Sequence, residues 1–264
     1  MIDGMKVFDI HAHIGLPTTG TWGEASYTPK KLLERMEGCG IDVAAICPLP
    51  SGNITPEHFR RANDYVLESA RKYEALIPFC LLNPLLETFT LEELHRCQTA
   101  GAKGVKLYPI GHGNYYLDSP VTDAMMKEID KLGMMVLTHS DFNTECCTPY
   151  QVARLAKRFP KVYITMAHFG CCPDRCWIVP EIVKDTPNVL LDTACVAPVT
   201  EAIYVHPVEV IGPERLVIGT DMPDIHPELN FLMLELAERD FSLDKDAKRT
   251  ILGKNIACQI LGIA

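Results

Sequence analysis

The run Val7-Phe8-Asp9-Ile10-His11-Ala12-His13-Ile14 decides how this chain is read. It is apolar nearly throughout, as expected of a strand covered on both faces in a parallel sheet. Side chains along a strand alternate between faces, so His11 and His13 point the same way. Seven further runs of this kind follow: Val43–Pro50, Leu76–Pro84, Gly104–Ile110, Met135–Ser140, Val162–Phe169, Val189–Ala194 and Leu216–Pro223. Amphipathic stretches lie between and after them, at Pro29–Gly38, Pro56–Tyr73, Leu91–Thr99, Pro120–Leu132, Pro149–Phe159, Arg175–Asp185, Val199–Ile211 and Glu228–Glu238. Several open on a proline, whose missing N–H costs nothing in a first helical turn. Thr55-Pro56 and Thr148-Pro149 read as capped starts, and Gly133 as a helix-ending glycine. Eight strand–helix alternations without a low-complexity linker predict an α/β fold, a single (β/α)8 TIM barrel whose one domain spans residues 1–264. Asp244–Leu261 is expected to add one amphipathic helix packed on the outside. An open six-stranded sheet is the competing architecture, and the eight runs count against it.

The formal net charge of -9 argues against nucleic acid or an anionic membrane surface as the partner. No window reaches the roughly 18 apolar residues that a membrane span needs. The start, MIDGMKVFDI, lacks the basic segment and apolar core of a secretory signal. Eleven cysteines, an odd number without an export signal, fit reduced thiols and an expected cytoplasmic location. Cys171, Cys172 and Cys176 cluster, and Cys146-Cys147 form a second group, yet no paired C-x2-C spacing supports a structural zinc.

In barrels of this kind the chemistry sits at the C-terminal ends of the strands. His11 and His13 close the first run, His139 ends Met134–Thr138, His168 ends Val162–Ala167 and Asp221 ends Leu216–Thr220. Any one of these alone means little, because strand-end histidines are commonly hydrogen-bonded rim groups and strand-end aspartates commonly cap helices. Five of them, all at C-terminal ends, suit a divalent metal with an open coordination position.

Asp9-Ile10-His11-Ala12-His13, the histidine ending strand five, Ala167-His168-Phe169-Gly170 and Gly219-Thr220-Asp221-Met222-Pro223 resemble the amidohydrolase superfamily. The resemblance is to the branch of aminocarboxymuconate-semialdehyde decarboxylase-like proteins and TIM-barrel metal-dependent hydrolases. Ile251-Leu252-Gly253-Lys254-Asn255-Ile256-Ala257 is similar to that branch's closing helix, so the match runs nearly end to end. The resemblance implies one divalent ion, usually Zn2+, held by His11, His13, His139 and Asp221. It implies that Asp221 takes a proton from water and that His168 polarises a carbonyl oxygen or steadies the water. Bound to such donors, water has its pKa lowered towards ~7. Lys106 lies on the strand where some relatives carry a carboxylated lysine bridging two metals, so a second ion with His168 and Lys106 is the alternative to a mononuclear site. The other role open to Lys106 is a stem along the barrel wall whose ammonium pairs with an acid.

Basic residues are nearly absent from the loops after the strands, Arg175 being the clear exception, whereas acids are frequent. Anionic substrates usually recruit arginine. The expectation is therefore a metal-dependent hydrolase attacking an amide, ester or lactone carbonyl of a small neutral or weakly charged molecule. A non-oxidative decarboxylase of a benzoate-like acid is the alternative, and a catalytically silent metal-binding barrel a lesser one. His112, Tyr108, Trp22, Arg175 and Lys106 are the candidates for substrate contact, with Tyr27, Tyr115, Tyr116 and Trp177 as further aromatic neighbours. Many barrels of this branch pair, which leaves a homo-oligomer open.

Overall fold

The computed structural model describes residues 5–15, 27–49, 51–172, 174–194 and 201–263. Eight strands, β1 (Phe8–Ile14), β2 (Val43–Pro48), β3 (Leu76–Leu81), β4 (Gly104–Leu107), β5 (Met135–Thr138), β6 (Ile164–Met166), β7 (Val189–Asp192) and β8 (Leu216–Val217), form one parallel sheet in sequence order. The last strand meets the first: Ile10 N–H donates to the Ile218 carbonyl at 2.8 Å, and Asp221 N–H to the His11 carbonyl at 2.7 Å. The barrel is the expected one. After β1 its ladders are shorter than the apolar runs, because those seven runs continue past the last strand residue into the loops that carry the site.

Helices α1 (Pro29–Cys39), α2 (Pro56–Lys72), α3 (Glu87–Thr99), α4 (Asp123–Leu132), α5 (Pro149–Arg158), α6 (Val179–Val183), α7 (Val205–Ile211) and α8 (Glu228–Phe241) connect the strands or follow β8. Their ends follow the local chemistry. Thr55 and Thr148 cap α2 and α5, the latter in a reciprocal capping box with Gln151, and Gly133 ends α4 at φ 63°. The C-terminal helix is present but divided into α9 (Lys245–Arg249), a π-helical turn (Thr250–Lys254) and α10 (Ile256–Leu261). Gly253 lies in the π-helical turn, where only glycine fits: a Cβ there would stand 2.0 Å from the Lys6 carbonyl oxygen. Asn255 then caps α10 through the Cys258 N–H.

Two apolar clusters fill the molecule. The larger lies between the outer barrel face and the helices. The smaller plugs the barrel interior with Phe8, Ile10, Phe79, Met135, Leu137 and Leu190, and it includes Ala257 and Cys258 of α10. Strand-start residues Val43, Ile77 and Tyr163 pack on that same cluster. Ala247, Ile251 and Leu252 pack on the outer core as expected of this segment, and its last part, α10, closes the bottom of the barrel, opposite the site.

Strand β1 changes phase. Between Asp9 and Ala12 its pairing with β2 slips by one residue, a β-bulge. Below the slip Phe8 and Ile10 face the interior plug, whereas Ala12 and Ile14 belong to the outer core. The slip turns the odd-numbered His11 and His13 into the upper barrel, above the apolar plug.

Candidate active site

The histidines of β1 are each fixed by one bond. His11 Nδ1 donates to Asp192 Oδ2 at 2.9 Å, and His13 Nδ1 to the Pro48 carbonyl at 2.9 Å. With the ring proton on Nδ1, each Nε2 keeps a lone pair. Those two Nε2 atoms lie 3.1 Å apart. Asp221 Oδ1 lies 3.1 Å from one and 3.0 Å from the other. Three acceptors so close require a shared positive charge. The residues present fit a divalent cation, which these three donors would hold between them.

The surrounding charges say the same. Burial, with Lys106 adding to it, keeps His11 well below the usual imidazole range, so it is neutral. Burial also lowers His13, but the Cys47 thiol and the Asp221 carboxylate outweigh it and push the ring up to about 10. A proton thus fills the need for positive charge that a metal would fill. Burial raises Asp221, yet His11, His168 and His13 hold its carboxylate well below the ordinary range.

His139 and His168 complete a chain of rings. Centroids of His13 and His11 are 5.0 Å apart, His11 and His168 5.1 Å, and His168 and His139 5.0 Å. Among the described residues Nε2 of His139 and Nδ1 of His168 are buried without a hydrogen-bond partner. Burial lowers His139 well below its usual value and His168 to about 4. Two neutral imidazoles with orphaned nitrogens beside a carboxylate are donors awaiting a ligand.

The aim of His168 is stored in the backbone. His168, Phe169, Gly170 and Cys171 are consecutively left-handed, with φ of 65°, 48°, 78° and 49°. For L-residues this costs roughly 1 kcal/mol or more each. Bonds from four directions hold it. His168 N–H donates to Asp192 Oδ1 at 2.9 Å and Gly170 N–H to Ser140 Oγ at 3.2 Å. Cys171 N–H donates to the His168 carbonyl at 2.8 Å, and the Gly170 carbonyl accepts from Phe142 N–H at 2.9 Å.

Two further carboxylates, not anticipated from the sequence, organise this cluster. Asp192, fully buried at the end of β7, accepts from His11 Nδ1, from His168 N–H and from Ala194 N–H. Asp9 accepts from His11 N–H at 3.0 Å, Thr220 N–H at 3.1 Å and Thr220 Oγ1 at 2.6 Å, and so braces β1 against the loop that carries Asp221. Cys47, 3.3 Å from His13 Nδ1, is a third neighbour missed.

The other candidates divide. Lys106 is buried with Nζ 2.7 Å from His11 Nε2, so its contact is the imidazole rather than the acid expected for an unmodified lysine. Tyr108 stands edge-on to His139 at 5.3 Å and to His112 at 5.5 Å. His112, expected on an open loop, is instead sealed between Tyr108 and Phe59, and burial lowers it to about 4. Arg175 is exposed, its guanidinium 6.0 Å from the centre of the Phe142 ring. Tyr115 is buried, Tyr116 donates outward to Glu145, and Trp177 packs on the outer core, so these three do not line one pocket. Trp22 lies outside the described residues. Among the described residues Cys171, Cys172 and Cys176 do not gather with other metal donors.

A family model described as amidohydrolase matches residues 8–257. This chain belongs to the amidohydrolase family. Among curated protein sequences none matches. The fold of this amidohydrolase is similar to that of 5-carboxyvanillate decarboxylase from Sphingomonas paucimobilis, at 16% identity and a TM-score of 0.77, covering 98% of this chain and 100% of that one. It is similar to 2,6-dihydroxybenzoate decarboxylase from Rhizobium, at 17% identity and 0.76, covering 98% and 99%. A probable 2-pyrone-4,6-dicarboxylic acid hydrolase from Acinetobacter baumannii matches at 16% and 0.73, covering 98% and 100%. At such identities the likeness is one of fold. Family membership makes the chain an enzyme of the amidohydrolase superfamily. Among the described residues no helix is long and apolar enough to cross a membrane.

Proposed function

We propose that this amidohydrolase is a metal-dependent hydrolase of an amide, ester or lactone carbonyl in a small neutral or weakly charged molecule, with the whole chain acting as one catalytic domain. The observation that carries the reading is the meeting of His11 Nε2, His13 Nε2 and Asp221 Oδ1 at 3.0–3.1 Å beneath a rim almost without cations. His11, His13, His139 and Asp221 would hold one divalent ion, with Zn2+ the first choice for this donor set. Such an ion supplies a Lewis acid acting on water and on the substrate carbonyl.

The chain's own groups do the rest. Asp221 Oδ2, the oxygen turned to His168 Nδ1 at 3.9 Å, accepts a proton from water and returns it to the leaving group. His168, neutral and fixed by its left-handed turn, orients the carbonyl oxygen through a ring nitrogen that has no hydrogen-bond partner among the described residues. Tyr108 covers His139 and forms an aromatic wall for the substrate. The loops following the eight strands contain a single basic residue, Arg175, and the segments outside the described residues add none. A polyanionic substrate would therefore have only Arg175 in the loops and Lys106 inside the barrel to lean on.

Decarboxylation of a benzoate-like acid is the second reading, favoured by what two of the similar structures are named for, 5-carboxyvanillate and 2,6-dihydroxybenzoate decarboxylases. A panel of neutral esters, lactones and amides assayed beside hydroxybenzoates separates the two. Released alcohol or amine supports hydrolysis, and released carbon dioxide supports the alternative. Asp221→Asn that retains metal yet leaves every measured turnover unchanged would remove both and favour a silent barrel.

A further inference from the structure

A groove between the end of α1 and the start of α8 is untouched by the reaction described above. It is an open cavity of about 350 Å³. On its walls Cys39, His226 and Glu228 each offer a donor atom within 4.8 Å of the other two. We propose that these residues form a second cation site, which takes a thiophilic divalent ion such as zinc.

The three donors come from separate parts of the chain. Cys39 is the last residue of α1, where Gly40 at φ 76° turns the backbone away. Glu228 is the first residue of α8, and His226 lies in the loop after Asp221. His226 Nδ1 faces the Glu228 carboxylate at 3.6 Å. Sulfur, imidazole nitrogen and carboxylate oxygen on a half-open wall make a three-ligand set that leaves a position for solvent. Loading breaks the Cys39 S–H bond and forms a sulfur–metal bond, the proton leaving to solvent.

Arg35 is the competitor. Its exposed guanidinium contacts His226 Nε2. Nδ1 accepts from the Glu228 N–H at 3.4 Å; an ion there displaces that bond and leaves the ring proton on Nε2, facing the arginine N–H, so Arg35 must swing away before the ion binds well. The ion would then tie the first helix to the last βα loop, across the seam where β1 meets the residues after β8.

The test uses the full chain and cobalt(II) as probe, and its readout is independent of activity, so it stands whether or not the catalytic reading does. Titration of the wild type is expected to give near-ultraviolet thiolate-to-cobalt absorption. Cys39→Ser abolishes that absorption, Glu228→Gln weakens it, and Cys47→Ser, which removes the thiol beside His13, leaves it. Arg35→Met reaches half-saturation at lower cobalt. Melting of each metal-free variant checks folding. The proposal is overturned if the wild type gives no thiolate absorption, if the absorption survives Cys39→Ser, or if Arg35→Met demands more cobalt rather than less.

Discussion

Replacing Asp192 by asparagine tests the arrangement of the proposed metal donors at a residue outside the proposed ligand set. Asp192 Oδ1 is fixed as an acceptor by two backbone N–H groups, those of His168 at 2.9 Å and Ala194 at 3.1 Å. Asparagine keeps its oxygen there, so its amide nitrogen falls where Oδ2 now accepts from His11 Nδ1. Two donors would then face each other. The relief is for His11 to move its proton to Nε2, the atom that meets His13 Nε2 and Asp221 Oδ1. A bond to a charged acceptor between two fully buried groups is worth ~1.5–3 kcal/mol. At about 1.4 kcal/mol per tenfold, metal affinity should fall by roughly 10- to 100-fold, the range found when an outer partner of a ligating histidine is lost. Chelator competition measures the affinity, and histidine nitrogen shifts report the tautomer. Because both backbone bonds survive, melting of the metal-free variant should change by less than about 4 °C, equivalent to ~1 kcal/mol in a chain of this size. Asp192→Ala, which loses all three bonds, should lower both quantities. Unchanged affinity and an unchanged His11 tautomer in Asp192→Asn would refute the reasoning.

Gly170→Ala places a Cβ 2.7 Å from Pro149 Cγ and 2.8 Å from the Phe142 ring, at φ +78°. It should destabilise by ~1–3 kcal/mol and, by tilting His168, lower kcat more than it raises KM. Metal analysis of Cys39→Ser, which lacks the thiolate of the second proposed cation site, should give one ion per chain with or without Lys106→Gln; two ions falling to one when Lys106 is also replaced would establish a bridged pair. Burial, then the like charge of Asp221, raises the Asp224 carboxyl to about 6. The folded protein therefore keeps this proton longer than the unfolded chain, and stability falls as pH rises from about 4 to about 6. Asp224→Asn removes that cost. Its metal-free form should melt higher than wild type at neutral pH, by less than ~1 kcal/mol because Asp224 is exposed, and the advantage should vanish towards pH 4. An advantage that persists there would contradict the sign.

How far such a site can be read from sequence depends on side-chain alternation. Met135 and Leu137 face the barrel plug, and His139 continues their phase; Asp221 shares the parity of Val217 but lies past the end of β8 at φ 56°. The same rule places Asp192 in phase with Leu190 at the end of β7, so the signal for it was present and its residue type, a carboxylate closing an apolar run, was the cue. Three features lie outside the rule, the first being the β1 bulge that turns His11 and His13 inward. His168 is out of phase with Ala167, which faces the plug, and reaches the site only because the backbone turns left-handed after β6. Lone-sequence patterns carry no mark of three strained non-glycine residues held by Ser140, Asp192 and Phe142 from other strand ends. His112 misled in the opposite direction: a histidine between two glycines looks like an open loop, but Phe59 of α2 and Tyr108 after β4 meet over it. Alternation along a strand is local and therefore legible. Strain and burial are properties of what arrives from elsewhere in the chain, and it is this imported support, from Asp192 and Asp9 above all, that converts five strand-end residues into one site.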